Sequence, residues 1–317
     1  MSDEHLISVD WGTSSLKVSV VRPRPFRVLE TINDIQLGVQ AVHAKVIDEC
    51  PADRLVHFTT VLKAALQRLE TIEPGFPVLI SGMASSSIGM LELPYQSLPI
   101  SLNAPNLKPR HLTPANNWPH SIYLFTGWRD GERDIMRGEE AQVLGLTEKP
   151  VRATVILPGT HSKHIKIQDA TMVRFTTFMT GEFFELMSSH SILRHSIDVQ
   201  SGSMLDSTKA FKEGVGVGAG QPLLASLFGI RPATLFGKRS PSHSADYLSG
   251  LLIGSEIATL LDGSGGELIL CGGSLTDCYQ LALETLGMGK ALRVIPQSDS
   301  EQATARMHAM WWVERAR

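Results

Sequence analysis

The sequence predicts an α/β protein that folds as two lobes. Its 317 residues, 43% of them hydrophobic, can bury a substantial core and favour two lobes over one. Residues 58–69 carry apolar side chains at the spacing of an amphipathic helix, and residues 77–83 have the pattern of a buried strand. A strand, helix, strand order is typical of α/β domains. We place the N-terminal lobe at residues 1–146 and the C-terminal lobe at residues 147–317.

The first element is a predicted β-hairpin at residues 7–20. Its arms carry regularly spaced apolar residues, whereas residues 10–15 are turn formers with one acid, one glycine and several hydroxyls. Glycine lets the backbone close on an oxygen-rich ligand, and successive amides and hydroxyls can donate to phosphate oxygens. Asp10 suits a hydrated Mg²⁺, which takes one or two carboxylates. An ordinary hairpin turn uses the same residue types, so this turn alone leaves both interpretations open.

Further elements complete the predicted N-terminal lobe. They are a strand at residues 26–32, a small-residue loop at 84–89, an irregular surface connection at 97–119, a strand at 122–125 and a helix at 137–146. The last helix begins with two acids, Glu139 and Glu140, which stabilise a helix dipole whatever else they do.

The predicted C-terminal lobe contains a second hairpin and a later glycine turn. The elements are strands at 153–157 and 165–167 around a Gly/Thr turn, a buried helix at 247–258 after a polar run at 238–244, a strand at 267–271, and a helix at 276–286. The strand at 267–271 ends at Gly272-Gly273-Ser274, where a planar ring or a phosphate can approach backbone that a Cβ would block. Gly287 is the expected stop of the helix that follows.

Charge and composition exclude several classes of function. The net charge of −3 and the pI near 6.4 leave no basic face for nucleic acid. Residues 1–5 are polar and acidic, and no apolar run is long enough to span a bilayer, so we expect neither an export signal nor a membrane partner. We therefore expect a cytoplasmic protein.

Cysteine and histidine spacing argues against a structural metal or a disulfide framework. Cys50, Cys271 and Cys278 form an odd set without CxxC spacing. His161 and His164 are three residues apart on a hairpin, so we expect them on opposite faces, with His164 exposed and no shared metal.

Five segments, in their order along the chain, resemble the 2-dehydro-3-deoxygalactonokinase family. They are residues 10–16 (DWGTSSL), 136–140 (MRGEE), 157–163 (LPGTHSK), 179–182 (MTGE) and 249–254 (SGLLIG). The resemblance runs from the N-terminus to about Leu286. That family belongs to the superfold shared by acetate and sugar kinases, heat-shock chaperones and actin. The resemblance therefore implies two ribonuclease-H-like lobes with ATP in an interlobe cleft.

The resemblance also implies which residues bind the nucleotide. The first phosphate loop contains Asp10, Gly12, Thr13, Ser14 and Lys17, with Mg²⁺ on Asp10. The second phosphate loop contains Gly159, Thr160, His161 and Lys163. The adenosine loop contains Gly272, Gly273 and Ser274. Relatives often have arginine at the position of Lys17. The lysine replaces the planar fork of a guanidinium by a point charge. A solvated Lys17 is an equal alternative.

For the acceptor, the resemblance implies a six-carbon 2-keto-3-deoxy sugar acid. Related sugar kinases have an acid at a helix start before the second phosphate loop, which favours Glu139 as the base with Glu140 as the alternative. Arg137 can grip a carboxylate with two hydrogen bonds. Short polar side chains and an aromatic side chain complete the expected substrate site: Ser85, Ser86, Ser87 and Trp11. The serines also fit a surface turn, and Trp11 also fits a core.

The function expected is ATP-dependent phosphorylation of 2-dehydro-3-deoxy-D-galactonate at its 6-hydroxyl, in galactonate catabolism. Residues 298–306 (SDSEQATAR) depart from the family, whose members have a small-residue turn with a glycine before the last helix. This departure and Lys17 keep a catalytically silent sensor of sugar acid or nucleotide as an alternative. A kinase for 2-keto-3-deoxygluconate or another small polyol is a further alternative. Whether the protein forms a homo-oligomer stays open.

Overall fold

A computed structural model describes residues 5–46, 54–103, 106–113, 118–199, 205–261 and 266–315. The chain divides into two compact units. The first comprises Met1–Lys149, Ala170–Val173 and Asp299–Arg317, and the second comprises Pro150–Asp169 and Arg174–Ser298.

Up to Lys149, the described residues of the first unit form short and long strands and three α-helices. These are β1 (Leu6–Trp11), β2 (Leu16–Arg22), β3 (Arg27–Asp34), α1 (Val39–Ala44), α2 (Arg54–Leu66), β4 (Val78–Gly82), β5 (Gln96–Ser97), β6 (Ile100–Ser101), β7 (Arg110–Leu112), β8 (Ile122–Leu124), β9 (Trp128–Asp130), β10 (Asp134–Met136) and α3 (Glu139–Leu144).

The main sheet of the first unit has the strand order β3-β2-β1-β4-β8-β7. Strands β1, β2 and β3 pair antiparallel, whereas β4 joins β1 in parallel and β8 joins β4 in parallel. An antiparallel meander extended by parallel strands beside its first strand is the ribonuclease-H-like arrangement expected above. Apolar residues of β1 and β2 pack against α2, with Trp11 and Phe58 fully buried at the centre of this core.

The second unit repeats this strand order and adds a group of helices. Its elements are β11 (Ala153–Leu157), β12 (Ser162–Gln168), β13 (Thr171–Phe178), α4 (Thr180–Glu185), α5 (Thr208–Gly220), α6 (Leu223–Phe228), α7 (Ile230–Leu235), α8 (Pro241–Ile257), β14 (Glu267–Cys271), α9 (Thr276–Thr285) and β15 (Leu292–Ile295). Strand β13 belongs to this unit from Arg174 onward. The strands follow the order β15-β14-β11-β12-β13, with β11 antiparallel to β12 and parallel to β14. The fold class expected from the sequence is thus confirmed.

Helices α5 and α8 pack with their backbones in contact. A Cβ added at Gly214 or Gly218 of α5 would clash with backbone atoms of α8, and one added at Gly250 or Gly254 of α8 would clash with backbone atoms of α5. The glycines therefore bring α8 close to its neighbour. Helix α8 is also longer than the predicted 247–258, because Ser240 accepts a hydrogen bond from the His243 amide and caps a start at Pro241.

The last helix, α10 (Gln297–Glu314), belongs to the first unit from Asp299 onward. This differs from the predicted C-terminal lobe at 147–317. Buried contacts of α10 with the first unit account for the difference. His308 is fully buried, forms hydrogen bonds of 2.8 Å with both Ser8 Oγ and Ser81 Oγ, and packs on Phe125. The connection at 97–119 also differs from the expectation, because it contains β6 and β7.

Among the residues that the structure describes, no helix has both the length and the apolar character needed to cross a bilayer.

Candidate functional site

In the first unit, the candidate site begins at Asp10, at the carboxyl end of β1. Parallel pairing with β4 places Asp10 beside Ser81 and Trp11 beside Gly82. Gly82 has φ +94°, and a Cβ there would lie 2.6 Å from the Trp11 carbonyl oxygen, so only glycine fits. Asp10 Oδ1 lies 3.4 Å from the same point. The Asp10 carboxylate therefore sits directly over the bare backbone of Gly82.

Four influences act on the Asp10 carboxyl. Removal from water raises its pKa most, the charge of Lys17 and a hydrogen bond from Thr304 lower it, and the charge of Glu139 raises it. The Thr304 hydroxyl donates to Oδ2 at 3.4 Å, and Lys17 faces Asp10 across the β1-β2 ladder. The net effect is a raised pKa, as expected for an anion that lacks a full countercharge.

Glu139 and Glu140 begin α3 but lie in different surroundings. Gly138, with φ +112°, precedes them, and a Cβ at Gly138 would lie 3.3 Å from the Gly82 Cα, so the start of α3 lies beside the end of β4. Glu139 is partly exposed and close enough to Asp10 to raise its pKa. Glu140 is 3% exposed, and its Oε2 accepts from the Gly138 amide at 2.7 Å. Burial, helped by the Glu139 charge, raises the pKa of Glu140 to about 8.

The turn at residues 85–87 is held by two arginines. Arg137 Nη1 donates to the Ser85 carbonyl at 2.5 Å and to Ser85 Oγ at 2.6 Å, and its guanidinium lies 4.2 Å from the centre of the Tyr95 ring. Arg54 donates to the carbonyl oxygen of Ser87. Arg137 Nε is buried and has no hydrogen-bond partner within the described part of the chain. A buried, unsatisfied guanidinium N–H is suited to an anionic ligand.

In the second unit, the β11-β12 hairpin presents an open glycine turn. Nothing lies within 4 Å of a Cβ built at Gly159, and Thr160 and His161 are exposed. The start of α4 lies against this turn, because a Cβ at Gly181 would lie 2.7 Å from the Thr160 Cα. His161 Nε2 and Glu182 Oε2 are 2.6 Å apart. The turn is thus braced on one side by α4 and has free space above its glycine.

The two glycines after β14 have different surroundings. A Cβ at Gly272 would lie 2.6 Å from the Gln297 amide, so close backbone packing requires this glycine. Gly273 is exposed, with nothing within 4 Å of a Cβ, and its amide donates to Thr276 Oγ1 at 2.6 Å. Close backbone packing therefore requires Gly272, whereas Gly273 leaves free space in which a ligand can approach the backbone.

A cavity of about 220 Å³ lies within the second unit. Thr180 and Gly181 line it at the end near the Thr160 turn, and Leu275 and Cys278 line it at the start of α9, just after Gly273. Most of the lining is apolar, which is typical of small-molecule sites. The cavity therefore adjoins both glycine turns of this unit.

A model of the 2-keto-3-deoxy-galactonokinase family matches residues 10–306. The chain belongs to this family.

Similar proteins support the membership. "Probable 2-dehydro-3-deoxygalactonokinase DgoK1" of Rhizobium meliloti (strain 1021) is 29% identical over 96% of this chain and 97% of its own length. The 2-dehydro-3-deoxygalactonokinase of Escherichia coli (strain K12) is 28% identical over 89% of this chain and 90% of its own. A crystal structure from Sinorhizobium meliloti, assigned as a 2-dehydro-3-deoxygalactonokinase, superposes with a TM-score of 0.81 at 29% identity, covering 96% of this chain and 99% of the other.

Several residues predicted for the site of this galactonokinase-family chain lie together within one unit. In the first unit, Asp10 and Glu139 lie close together, and Ser85 with Arg137 forms a second group. Lys17 faces Asp10, but its Nζ donates to the Glu301 carbonyl at 2.7 Å. Three residues of the first turn stay available to a ligand, with Gly12 partly exposed and Thr13 and Ser14 exposed.

Two expectations are wrong. Trp11 does not line a substrate pocket: it is fully buried, its indole N–H donates to the Leu37 carbonyl at 2.7 Å, and its ring packs on Phe58. The alternation of β1 directs Trp11 to the core side. His164 is buried rather than exposed, because it hydrogen-bonds Glu256 at 2.9 Å. Lys163 is also buried, and its Nζ donates to the His161 carbonyl at 2.9 Å. Lys163 therefore stabilises the turn from its buried side.

Sequence reasoning missed residues that only long-range contacts bring to the site. Thr304 reaches Asp10 from 294 positions away, Arg54 and Tyr95 contact the serine turn and its arginine, and Glu256 lies under the second turn. Among them, only Glu256 has a sequence signal, because it lies two residues after Gly254, the last residue of the SGLLIG motif.

Proposed function

We propose that this protein is an ATP-dependent kinase that transfers the γ-phosphoryl group to the 6-hydroxyl of 2-dehydro-3-deoxy-D-galactonate. The observation that carries the proposal is the convergence of Asp10 and Glu139, in a chain of the galactonokinase family, through the contact of Gly82 with Gly138. The names of the relatives support the substrate. We further propose a cytoplasmic location, which suits a kinase of sugar-acid catabolism.

ATP is the donor that the family implies, and the second unit has suitable surfaces for it. The open turn at Gly159 and Thr160, with His161 beside it, offers backbone amides and side-chain donors to phosphate oxygens. The apolar cavity beside Gly273 suits the nucleoside. We assign Ser274 to the same nucleoside loop, because it is exposed directly after Gly273.

Asp10 fits a magnesium ion that retains most of its water. The described residues contain no cluster of three or more acidic, histidine or cysteine side chains able to hold a metal. Mg²⁺ does not need one, since it is commonly held by one or two carboxylates and the substrate phosphates. The raised pKa of Asp10 is typical of a buried carboxylate whose negative charge a bound cation would neutralise. When bound, the ion would neutralise charge on the transferring phosphoryl group.

For the acceptor, we propose that Arg137 binds the sugar-acid carboxylate. Its Nε is buried without a hydrogen-bond partner among the described residues, and its Nη1 is already fixed by Ser85. Arg54 adds positive charge at Ser87, and we include it as a substrate residue. Ser86 donates its hydroxyl to the Met83 carbonyl at 2.7 Å, so it shapes the turn and leaves oxygen lone pairs for a substrate hydroxyl.

Glu139 is the proposed general base. It would accept the proton of the 6-hydroxyl as that oxygen attacks the γ-phosphorus, while the leaving ADP oxygen takes up the charge. Partial exposure gives Glu139 access to a substrate that buried Glu140 lacks. Glu140 instead satisfies the Gly138 amide and holds the start of α3 in place.

The test is a coupled assay of ADP release across several 2-keto-3-deoxy sugar acids, with Glu139→Gln and Glu140→Gln as a matched pair. General-base loss typically costs 10²–10⁴-fold, so Glu139→Gln is expected to lower kcat about 100-fold or more while ATP binding stays unchanged. Glu140→Gln retains the acceptor for the Gly138 amide and is expected to keep most of its turnover.

Two outcomes would contradict the proposal. Full turnover in Glu139→Gln would move the base elsewhere. ATP binding without ADP release for any sugar acid would instead indicate a sensor. A preference for the gluconate epimer would change the substrate and leave the reaction type intact.

A further inference from the structure

Glu256 is a buried carboxylate in the second unit that the proposed chemistry does not use. It lies near the end of α8 and is 3% exposed. Four side chains donate to it, two to each oxygen. Oε1 accepts from Ser162 Oγ at 2.6 Å and His164 Nε2 at 2.9 Å, and Oε2 accepts from Tyr279 Oη at 2.8 Å and from the Thr180 hydroxyl.

These four donors come from three different parts of the nucleotide surface. Ser162 and His164 lie on β12, directly after the phosphate turn. Thr180 begins α4, which braces that turn, and Tyr279 lies in α9, which follows Gly273. One carboxylate therefore ties together the elements that would hold the phosphates and the nucleoside.

The charge state of Glu256 decides how these hydroxyls are oriented. Burial raises its pKa, but the hydrogen bond and charge of His164 and the hydroxyls of Ser162 and Thr180 outweigh burial, so the pKa is lowered. An ionised carboxylate only accepts hydrogen bonds. The hydroxyl hydrogens of Thr180 and Tyr279 are thus committed to Glu256.

Thr180 and Tyr279 also line the 220 Å³ cavity. Because their hydrogens point at Glu256, they can offer only oxygen lone pairs to a ligand. The remaining acidic groups of the wall, Asp198, Asp206 and Asp246, are acceptors when ionised. Apart from the hydroxyls of Ser242 and Ser249, the polar side chains named in this wall therefore present acceptors. Such a wall suits a ligand part rich in donors, such as ribose hydroxyls, and is unfavourable for an anion.

We propose that Glu256 is a positioning residue for the nucleotide: it fixes the phosphate hairpin, α4 and α9 at one spacing and holds Thr180 and Tyr279 as hydrogen-bond acceptors toward the cavity. This rests on the proposed function, because it takes the second unit to be the ATP-binding part. It concerns the affinity for nucleotide and leaves acceptor binding to the first unit.

The experiment compares ATP binding and steady-state kinetics of the full-length wild type and Glu256→Gln. An amide has one acceptor oxygen and a donating NH₂, so it cannot accept from all four donors. We expect the Kd and KM for ATP to rise about tenfold or more, while the KM for the sugar acid changes less than threefold. A merely structural role would lower the amount of folded enzyme and move neither KM.

A second pair of variants keeps the test decisive if Glu256→Gln folds poorly. Thr180→Val removes the hydroxyl at nearly constant volume, and Thr180→Ser retains it. We expect weaker ATP binding in Thr180→Val and recovery in Thr180→Ser, measured by calorimetry with ATP alone. Folded Glu256→Gln with wild-type ATP affinity, or Thr180→Val that binds like Thr180→Ser, would overturn the proposal. A wild type that binds no ATP would instead refute the proposed function.

Discussion

At the scale of single residues, adjacent identical side chains acquire different chemistry from burial. Glu139 and Glu140 are consecutive at the start of α3. Glu139 is partly exposed beside Asp10, whereas Glu140 is 3% exposed and lies against Gly138, the N-cap of the helix. Successive helical side chains point about 100° apart, so one can face the site while the other enters the interior. In the proposed function, Glu139 is therefore the reacting group and Glu140 the structural support.

The raised pKa of Glu140 predicts how the free energy of unfolding changes with pH. In the folded protein, burial raises the pKa of Glu140 to about 8, above the ordinary glutamate value of 4.5. Between these values the folded state keeps a proton that the unfolded state has lost, so this group makes stability fall as pH rises from about 4.5 to 8. Above pH 8 the folded protein must hold a buried charge.

Replacing Glu140 by Gln should remove this dependence. We expect the variant to gain on the order of 1–3 kcal/mol in the free energy of unfolding at pH 8.5 relative to wild type, and less at pH 5.5. Chemical denaturation at the two pH values measures the difference. Equal pH slopes for the two proteins would mean that Glu140 is ionised in the native state.

At the scale of elements, glycine pairs and one histidine decide how helices dock. In α5, Gly218 is buried against the Leu251 carbonyl of α8, whereas Gly216, two residues earlier, is exposed with nothing within 4 Å of a Cβ. In α10, the buried imidazole of His308 joins Ser8 and Ser81 of neighbouring strands. Burial lowers the pKa of His308 to about 3, so the imidazole is neutral and can act as one donor and one acceptor.

Alanine at the two glycines of α5 should have opposite effects. Gly216→Ala is expected to stabilise by about 0.5–1 kcal/mol, because alanine is the better helix former. Gly218→Ala is expected to destabilise by roughly 1–3 kcal/mol, because the methyl group must push α5 away from α8. Urea titration of both variants measures the difference, and equal midpoints would contradict the close packing.

At the scale of the whole molecule, the same strand order occurs twice, and each unit has its own candidate surfaces. The first unit has the carboxylates and the arginine-held serine turn, and the second has the glycine turns, the cavity and Glu256. A ligand that binds only the folded state stabilises the region that it touches.

Hydrogen exchange should therefore separate the two ligands. We expect ATP alone to slow amide exchange at residues 158–163 and 272–279, and the sugar acid alone to slow it at residues 82–95 and 137–140. Mass spectrometry of peptides covering these ranges measures both. Protection of the 137–140 region by ATP alone, without change at 158–163, would reverse the proposed assignment of donor and acceptor.

Much of the fold is readable from the sequence, because its signals are local. The hairpin turn at Asp10, the turn at Gly159, and the strand before Gly272 appear where the pattern predicts them, since alternation and glycine act over a few residues. The start of α8 at Pro241 was missed, although Ser240 and Pro241 are a local capping signal.

The sequence by itself determined the element order, the family and the residue types at each turn, because periodicity, turn chemistry and motif order are properties of neighbouring residues. Only the tertiary structure decided that Trp11 is core, that His164 and Glu256 form a buried group, that Thr304 reaches Asp10, and that α10 packs on the first unit. Burial and long-range hydrogen bonds depend on which surfaces meet, and residues separated by as many as 300 positions carry no local sign of their partner.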